Sequence, residues 1–272
     1  MITYTQNLHT HTKYCDGKNT PEEMITAAIE LGFDTLGFSG HAPTNFNIDW
    51  DMDEKSLAEY KKDIMLLKEK YASQIDVLYG LEIDVLSSCD TSDCDYVIGS
   101  SHFLKLDNAC VEFDADADTV ANIIRDYFDG DGMKYAKCYF QTMAELYKYA
   151  DFDIVGHYDI IAKHCESRNF FDIDSKEYQN TALEALHSLS EKKKVFEVNT
   201  GAIARGYRTT PYPAPFILKE MHRLGCTVIL TADCHDKRFL NCCYNETLEY
   251  IKECGFKSIG IMKNGIITEI SI

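Results

Sequence analysis

The sequence lacks the segments that would export a protein or hold it in a membrane. Met1 to Asn7 contains no basic stretch followed by an apolar one, so no secretory signal is predicted. No apolar run approaches the roughly 20 residues that a membrane-spanning helix needs. We therefore expect a cytoplasmic protein without a membrane partner, whose eleven cysteines are reduced thiols.

Cysteine pairs with metal-binding spacing and an excess of positive charge are also absent. No CxxC motif occurs, and the adjacent Cys242 and Cys243 are better explained by packing or surface exposure than by a metal site. The formal net charge of −17 disfavours a nucleic-acid partner, because phosphates would be repelled. The same charge suits a small cationic substrate, and bound divalent cations would offset part of it locally.

Repeats and low-complexity linkers are missing as well. A chain of 272 residues has room for one α/β barrel or for two smaller domains. Candidate ligands recur without interruption from residue 9 to residue 235. We therefore predict one domain over residues 1–272, and nothing in the sequence indicates its oligomeric state.

Strands and helices are predicted to alternate along the chain. Seven short apolar runs predict strands at Tyr4–Leu8, Asp34–Ser39, Ile75–Leu81, Tyr96–Ser100, Ile154–Gly156, Val195–Val198 and Thr227–Thr231. Helices are predicted from Thr20 to Gly32, over Asp53–Tyr71, and over residues 118–129, 134–150, 175–192, 214–224 and 244–254. Such alternation favours a parallel barrel, in which the loops at the carboxyl ends of the strands meet around one mouth.

Two local signals refine this pattern. Thr20 and Glu23 are spaced as a capping box at the start of the first helix, and Pro21 suits its first turn. At the other end of the chain, Ser258–Met262 and Ile266–Ile270 predict a hairpin around Lys263-Asn264-Gly265, since Asn-Gly favours a tight turn.

Each predicted strand ends in a histidine or a polar residue that binds metals, and this regularity is the most informative feature of the sequence. These residues are His9 with His11, His41, Glu82, His102, His157, Glu197 with Asn199, and Asp233 with His235. Six of the nine histidines occupy such positions. Each motif alone has an ordinary explanation as a cap, a solvated histidine or an ion pair. Their joint occurrence predicts a metal site.

The number of candidate ligands exceeds the need of one ion. Asp16 adds a carboxylate shortly after His11, and Asp84 could share the face of Glu82. A zinc-type ion takes about four to five ligands, so the set suits two or three divalent ions. With no cysteine ligand evident, Zn, Mn and Fe all remain open. The other histidines are expected at the surface or at helix caps: His164, His187 and His222.

As a set, the motifs resemble the PHP (polymerase and histidinol phosphatase) superfamily. The motifs are His9-Thr10-His11, Ser39-Gly40-His41, Leu81-Glu82, Gly99-Ser100-Ser101-His102, Gly156-His157 and Asp233-Cys234-His235. The stretch Glu197–Gly201, followed by Arg205 and Tyr212-Pro213, resembles the histidinol-phosphatase branch. The resemblance extends over residues 7 to 236. It implies a distorted, TIM-like (β/α)₇ barrel with a trinuclear metal site at the C-terminal ends of the strands.

The resemblance also implies ligand sets and a reaction. The first ion would be held by His9, His11, Glu82 and Asp233, the second by Glu82, His102 and His157, and the third by Asp16, His41 and His235. The implied reaction is hydrolysis of L-histidinol phosphate to L-histidinol and phosphate in histidine biosynthesis. One departure is Gly40, where the family often has an aspartate beside the following histidine.

The residues also suggest roles in hydrolysis. A hydroxide bridging the ions bound to Glu82 is expected to attack phosphorus, and the leaving group is expected to take a proton from a metal-bound water, Asp233 or His235. Glu82, Asp233 and His235 are therefore the candidate catalytic residues. The candidate phosphate contacts, each of which has a solvated surface charge as its alternative, are Lys163, Arg205 and Arg208.

The cationic groups of the substrate need acceptors. Glu197 or an acid of the segment Asp107–Gly132 is expected to serve. Within that segment, Asp114, Asp116 and Asp118 are expected in a solvated loop, because the glycine and final glutamate of an EF-hand are missing.

Two other functions remain open at this point. One is hydrolysis of another small phosphomonoester, such as a nucleotide or a sugar phosphate. The other is an inactive PHP module that binds nucleic acid or a polymerase, and the intact ligand set and the negative charge both argue against it.

Overall fold

The computed structural model describes residues 4–44, 46, 48–106, 109–263 and 265–272. The strands are β1 (Gln6–Asn7), β2 (Thr35–Phe38), β3 (Asp76–Ile83), β4 (Tyr96–Gly99), β5 (Phe103–Lys105), β6 (Cys110–Glu112), β7 (Ile154–Val155), β8 (Val195–Asn199), β9 (Thr227–Thr231), β10 (Ser258–Lys263) and β11 (Ile266–Ser271). The α-helices are α1 (Pro21–Glu30), α2 (Glu54–Tyr71), α3 (Ala117–Phe128), α4 (Gly132–Ala144), α5 (Lys176–Ser190), α6 (Gly201–Ala204), α7 (Pro215–Arg223) and α8 (Tyr244–Glu253). Short 3₁₀ turns cover Leu146–Lys148, Ile160–Ala162 and Lys237–Phe239.

Seven parallel strands form one sheet in the order β1-β2-β3-β4-β7-β8-β9. Beyond the two edge strands, Thr10 and Cys234 form a parallel bridge. The His11 N–H donates to the Cys234 carbonyl and the Cys234 N–H donates to the His9 carbonyl, each at 2.9 Å. The sheet therefore curls into a nearly closed barrel surrounded by helices, and the expected (β/α)₇ architecture is confirmed.

The inner face of β3 shows how the barrel is filled. Leu78, Gly80 and Glu82 are two residues apart and so share this face. Tyr96 of β4 occupies the space beside Gly80, where an added Cβ would lie 2.7 Å from the tyrosine ring. The Tyr96 hydroxyl donates to the Leu8 carbonyl. Apolar side chains thus fill the lower barrel and leave Glu82 at the carboxyl end of the strands.

The capping box at α1 is confirmed. The Thr20 hydroxyl accepts the Glu23 N–H at 3.2 Å, and the Glu23 carboxylate accepts the Thr20 N–H at 3.0 Å. Pro21 occupies the first helical position. Two of the backbone donors that a helix start leaves unpaired are therefore satisfied.

The C-terminal hairpin is also confirmed, with β10 and β11 antiparallel. The Tyr4 hydroxyl donates to the Gly260 carbonyl at 3.0 Å, and the Met262 N–H donates to the Gln6 side chain at 3.0 Å. The hairpin thereby covers the junction between the first and last barrel strands. Asn264, in the predicted turn, lies outside the described residues.

Several elements differ from their prediction: α6 is not predicted, and β1 is shorter than the predicted Tyr4–Leu8. The predicted third strand ends at Leu81, but β3 continues to Ile83 because it pairs with β4 up to Gly99, so Glu82 lies within the strand. The helix predicted over 134–150 ends at Ala144, where the chain tightens into a 3₁₀ turn. The β5–β6 hairpin is not predicted, because strands of three residues are too short to show a period.

Two sequence-based expectations bear on the surroundings of the protein. Across the described part of the chain, no helix is long and apolar enough to cross a membrane. All eleven cysteines are free thiols.

Candidate metal centre

The carboxylate of Glu82 lies at the centre of a cluster of histidines. Its Oε1 atom lies 2.9 Å from His157 Nε2 and 3.6 Å from His102 Nε2. Its Oε2 atom lies 3.1 Å from His41 Nδ1, 3.2 Å from His9 Nε2 and 3.5 Å from His11 Nε2. All six residues are buried, so one carboxylate connects five imidazoles that follow four strands, β1, β2, β4 and β7.

Asp233 and Asp16 complete the cluster. Asp233 Oδ1 lies 3.3 Å from His11 Nε2 and 3.7 Å from His9 Nε2. Asp16 Oδ2 lies 3.0 Å from His235 Nε2, and Asp16 Oδ1 lies 3.4 Å from His11 Nδ1. The more exposed side of the cluster is formed by Asp16 and His235, with side chains 33% and 20% exposed.

The potential donor atoms form four overlapping groups, each with all its atoms within 4.8 Å of one another. The groups are His9, His11 and Asp233; His9, Glu82 and His157; His41, Glu82 and His102; and His11, Asp16, His41 and His235. Together they contain all nine residues predicted as metal ligands. The predicted second set is divided between two groups that share Glu82.

Two buried nitrogen atoms support a fit to cations. His9 Nε2 and His11 Nε2 have no hydrogen-bond partner among the described residues, although a Glu82 oxygen lies 3.2 Å and 3.5 Å away. A buried polar group left unpaired costs about 1–3 kcal/mol. A divalent cation between imidazole nitrogens and carboxylate oxygens would satisfy both. The donor set therefore fits divalent metal ions.

Glu197 supports the histidines from behind. Its Oε1 atom lies 2.6 Å from His9 Nδ1 and accepts the Thr231 hydroxyl at 2.5 Å. Its Oε2 atom accepts the His157 backbone N–H at 2.7 Å and the Asn199 side chain at 2.9 Å. Engaging Nδ1 of His9 turns Nε2 toward the cluster. The expectation that Glu197 accepts a hydrogen bond from the substrate is wrong. Its side chain is fully buried, and both of its carboxylate oxygens already have protein partners.

Asp84 supports His102 in the same way. Its Oδ2 atom accepts the His102 backbone N–H at 2.6 Å and lies 3.1 Å from His102 Nδ1. The His102 Nε2 atom therefore faces Glu82. Asp84 lies beside the cluster without belonging to any of the four donor groups.

The charges of the cluster shift the pKa values of its members. Burial lowers the pKa of His102, but Glu82 and Asp84 outweigh it and raise that pKa to about 9. Burial raises the pKa of Glu82, but the imidazoles around it hold that pKa well below its usual range. The carboxylates thus require positive charge beside them, which either protonated histidines or metal ions supply.

Arg205 holds Asp233 in an uncommon conformation. Asp233 has φ 44°, a left-handed geometry that non-glycine residues seldom adopt. Arg205 Nη2 lies 2.9 Å from Asp233 Oδ2, and Nη1 donates to the Asp233 carbonyl at 3.1 Å. Arg205 Nη1 also lies 3.0 Å from His235 Nδ1. Of the three predicted phosphate contacts, Arg205 is therefore the one in direct contact with the cluster.

Lys163 lies at the rim of the mouth. Its Nζ atom is 2.8 Å from Asp114 Oδ1 and 4.6 Å from the centre of the Tyr207 ring. The side chain is only 13% exposed. Its contact with phosphate stays a prediction.

Arg208 is buried behind the rim. It donates to the Thr210 hydroxyl at 3.1 Å, lies 3.6 Å from Glu166, and stacks 5.1 Å from the centre of the Tyr212 ring. Its Nε and Nη1 atoms have no hydrogen-bond partner in the described structure. These contacts lie within the loop region, and phosphate binding by Arg208 stays a prediction.

The acidic segment packs more closely than expected. Asp114, expected in a solvated loop, is half-buried against Lys163, while Asp116 caps α3. His164, expected at the surface or a cap, is buried, and its Nε2 lies 2.9 Å from the Ala115 carbonyl. The reason is that this segment folds back over the mouth and meets the turn after β7. Asp107, at its start, lies outside the described residues.

The other two histidines lie where the sequence predicts. His187 lies in the last turn of α5, half-exposed beside Glu220, and His222 lies in the last turn of α7.

One residue beside the cluster was not predicted to be part of the site. The chain's single tryptophan, Trp50, packs against two histidines of the cluster. Its ring centre lies 4.6 Å from that of His41 and 5.6 Å from that of His102. The only feature of the sequence that could have drawn attention to Trp50 is that the chain contains a single tryptophan.

Comparison with known proteins identifies related chains. A histidinol-phosphatase of Bacillus subtilis (strain 168) is 24% identical over 264 residues, which cover 89% of this chain and 97% of the relative. A protein of Deinococcus radiodurans named probable histidinol-phosphatase is 26% identical over 268 residues, covering 92% of this chain and 94% of the relative.

A solved structure shares the fold. The crystal structure of histidinol phosphate phosphatase from Lactococcus lactis subsp. lactis Il1403, complexed with zinc, L-histidinol and phosphate, matches with a TM-score of 0.74 at 20% identity. The match covers 97% of this chain and 98% of that chain. A family model described as PHP domain matches residues 7–201. This range is most of the chain and contains seven of the nine predicted ligands, so the chain belongs to the PHP domain family.

Proposed function

We propose that this protein is a metal-dependent phosphomonoesterase that hydrolyses L-histidinol phosphate to L-histidinol and phosphate in histidine biosynthesis. The observation that carries the proposal is the convergence of six histidines and three carboxylates at one mouth of the barrel. The names of the relatives and the ligands of the Lactococcus protein support this substrate. A cytoplasmic location is part of the proposal, and eleven free thiols are consistent with it.

The cofactor in this proposal is a set of two or three divalent ions, Zn, Mn or Fe. The three ligand sets that the family resemblance implies would be His9, His11, Glu82 and Asp233; Glu82, His102 and His157; and Asp16, His41 and His235. All of these residues belong to the four donor groups. Ions of this kind lower the pKa of bound water and neutralise charge on phosphoryl oxygens.

The protein's own side chains would orient these ligands. Glu82 would be shared between two sets, since each of its oxygens faces different imidazoles. Glu197 and Asp84 would keep Nε2 of His9 and His102 directed at the cluster by engaging Nδ1. Such fixed ligands need no rearrangement when substrate enters.

Cationic side chains would bind the phosphate. Arg205 is 30% exposed and contacts both Asp233 and His235, so its guanidinium lies where phosphate oxygens would approach the cluster. Lys163 at the rim would add a second positive charge. His235 is the more accessible of the two side chains among the candidate proton donors, being 20% exposed against 6% for Asp233.

One assay tests the proposal. Purified protein should release phosphate from L-histidinol phosphate, and a chelator should stop the reaction. L-Histidinol phosphate should be preferred by orders of magnitude over p-nitrophenyl phosphate, nucleotides and sugar phosphates. A strong preference for another phosphomonoester would contradict the substrate assignment, and full activity after removal of all metal would contradict the mechanism.

Two variants sharpen this test. His11→Ala and Glu82→Ala should abolish turnover, because each removes a donor shared by two groups of the cluster. Circular dichroism should show folded protein. Glu177→Ala is the control, since this exposed carboxylate pairs with Lys137 on the surface and with no other side chain among the described residues. A near-normal rate in either cluster variant would refute the assigned site.

A further inference from the structure

Buried polar atoms without a partner gather at one place outside the metal cluster. Among the described residues, eleven buried side-chain nitrogen and oxygen atoms have no hydrogen-bond partner. Five of these atoms belong to Asp159, Tyr178, Arg208 and Tyr212, none of which is a proposed metal ligand. Leaving a single buried polar atom unpaired is costly in free energy. Five of them in one neighbourhood therefore indicate partners other than side chains.

Arg208 is the centre of this neighbourhood. Its Cζ atom stacks 5.1 Å from the centre of the Tyr212 ring. Burial lowers the pKa of Arg208, but the groups around it, led by Asp159, outweigh burial and raise that pKa. In the described structure Arg208 and Asp159 form no ion pair, and the guanidinium lies 3.6 Å from Glu166 instead. Water commonly bridges a buried guanidinium and a carboxylate that are near each other without contact.

Two neighbouring loops at the mouth of the barrel supply most of these atoms. The first, residues 156–168 after β7, contains Lys163, and we call it the Lys163 loop. The second, residues 200–214 after β8, contains Arg205, and we call it the Arg205 loop. Arg208 belongs to the Arg205 loop. The unpaired atoms therefore lie where the loops that carry two candidate phosphate contacts meet.

Direct hydrogen bonds already join the two loops. Asp159 Oδ2 accepts the Ala214 N–H at 3.0 Å, and Glu166 accepts the Thr209 N–H at 2.8 Å. The Asp159 carboxylate is thus fixed by one oxygen, while its other oxygen, Oδ1, is one of the unpaired atoms. Water bound to this oxygen and to the unpaired nitrogens of Arg208 would add a third link between the loops.

We propose that buried water molecules bridge Asp159 to Arg208 and to the hydroxyls of Tyr178 and Tyr212, and that this network positions Arg205. The inference rests on the proposed function, in which Arg205 binds phosphate. Arg208 acts through its loop and does not touch phosphate, so it is a positioning residue. A loop that is fixed before substrate enters does not have to be ordered on binding, which favours affinity.

The first test is structural and independent of activity. A high-resolution crystal structure should show ordered water within hydrogen-bond distance of both Asp159 Oδ1 and an Arg208 nitrogen. A direct ion pair between the two side chains would overturn the network, and so would the lack of ordered water between them.

Removing single hydroxyl groups is the second test. Tyr212→Phe keeps the ring that stacks on Arg208 and should lower the melting temperature by roughly 2–4 °C, the shift for one lost buried hydrogen bond in a chain of this size. Tyr178→Phe should do the same. Tyr244→Phe is the matched control, because its hydroxyl is also buried and unpaired but its ring packs on Tyr4. It should leave the melting temperature unchanged or raise it, and an equal shift in all three variants would overturn the proposal.

The third test separates positioning from direct contact. Arg208→Gln should raise the Ki of inorganic phosphate about 3- to 10-fold, and Arg208→Lys should raise it less. In the Arg205→Ala background, Arg208→Gln should add nothing, because the side chain that it positions is gone. Arg223→Gln removes an exposed guanidinium and should leave the Ki unchanged. Additive losses in the double variant would show that Arg208 binds phosphate itself, and an unchanged Ki in Arg208→Gln would also overturn the positioning role.

Failure of the proposed function gives a different result. If the protein does not hydrolyse L-histidinol phosphate, phosphate binding is measured by calorimetry on metal-loaded protein, and the ordered water and the melting temperatures still judge the network. If Arg205→Ala leaves phosphate binding unchanged, the positioning role is overturned. Should Arg208→Gln fail to fold, Tyr212→Phe is judged by the same phosphate measurement, and an unchanged value would overturn the role.

Discussion

Arg205 shows how one side chain can link backbone geometry to substrate binding. It contacts both the carbonyl and the carboxylate of Asp233, whose backbone is left-handed. It also reaches His235 on the more exposed side of the cluster. A guanidinium so placed can exchange one of these contacts for a phosphate oxygen without moving far.

Arg205→Ala should weaken binding of inorganic phosphate. The variant loses a charge-assisted hydrogen bond worth about 1.5–3 kcal/mol, so the Ki of phosphate should rise roughly 10- to 100-fold. Product inhibition of the hydrolase activity measures this. Arg223→Ala is the control, because that exposed guanidinium pairs with Glu220 on α7 and with no other carboxylate in the described part of the chain. If phosphate inhibits Arg205→Ala as well as it inhibits wild type, Arg205 does not bind phosphate.

The role of Glu197 could not be predicted from the sequence alone. Its place in a strand that ends in polar residues identified it as important, but not as a buried support for two histidines. Its partners His9, His157 and Thr231 lie 34 to 188 positions away. No local pattern records such contacts.

At the scale of elements, the start of α1 could be predicted because capping hydrogen bonds join residues that are close together in the sequence. The Thr20 hydroxyl and the Glu23 carboxylate satisfy each other's backbone donors within four residues. The β5–β6 hairpin was not readable, because its strands have three residues each and gain their order from packing over the mouth. The extension of β3 likewise depended on pairing with β4.

Thr20→Ala should lower the free energy of unfolding by about 1 kcal/mol, the usual cost of losing an N-cap side chain. Urea unfolding followed by circular dichroism measures the change. Thr26→Ala is a matched control in the same helix, because its hydroxyl donates to the Glu22 backbone carbonyl at 2.9 Å and does not cap the helix start. An equal loss in both variants would contradict a specific role for the cap.

For the whole molecule, the cluster places buried carboxylates and imidazoles close together at the end of the barrel. In the absence of cations these groups rely on protonated histidines for charge balance, which costs stability once the pH rises above their pKa values. Metal ions would bind the native state and have few preorganised ligands in the unfolded chain.

Removing metal should therefore lower the melting temperature. At a free metal concentration of 100 Kd the stabilisation is about 2.7 kcal/mol, which corresponds to a shift of roughly 5–10 °C for a chain of this size. Thermal unfolding with and without chelator measures it, and readdition of Zn or Mn should restore it. His11→Ala should show a smaller shift than wild type. A chelator that leaves the melting temperature of metal-loaded protein unchanged would argue against ions in the cluster.

The sequence by itself determined the parallel barrel and the nine clustered residues, because strand alternation and strand-end positions are regular along the chain. Tertiary structure alone decided which nitrogen faces which oxygen, how Glu197 and Asp84 direct the imidazoles, and that unpaired buried atoms of Asp159 and Arg208 lie where two loops meet. The reason is physical. A strand carries its side chains in a fixed repeat, whereas contacts between the loops above a barrel depend on how distant segments pack together in space.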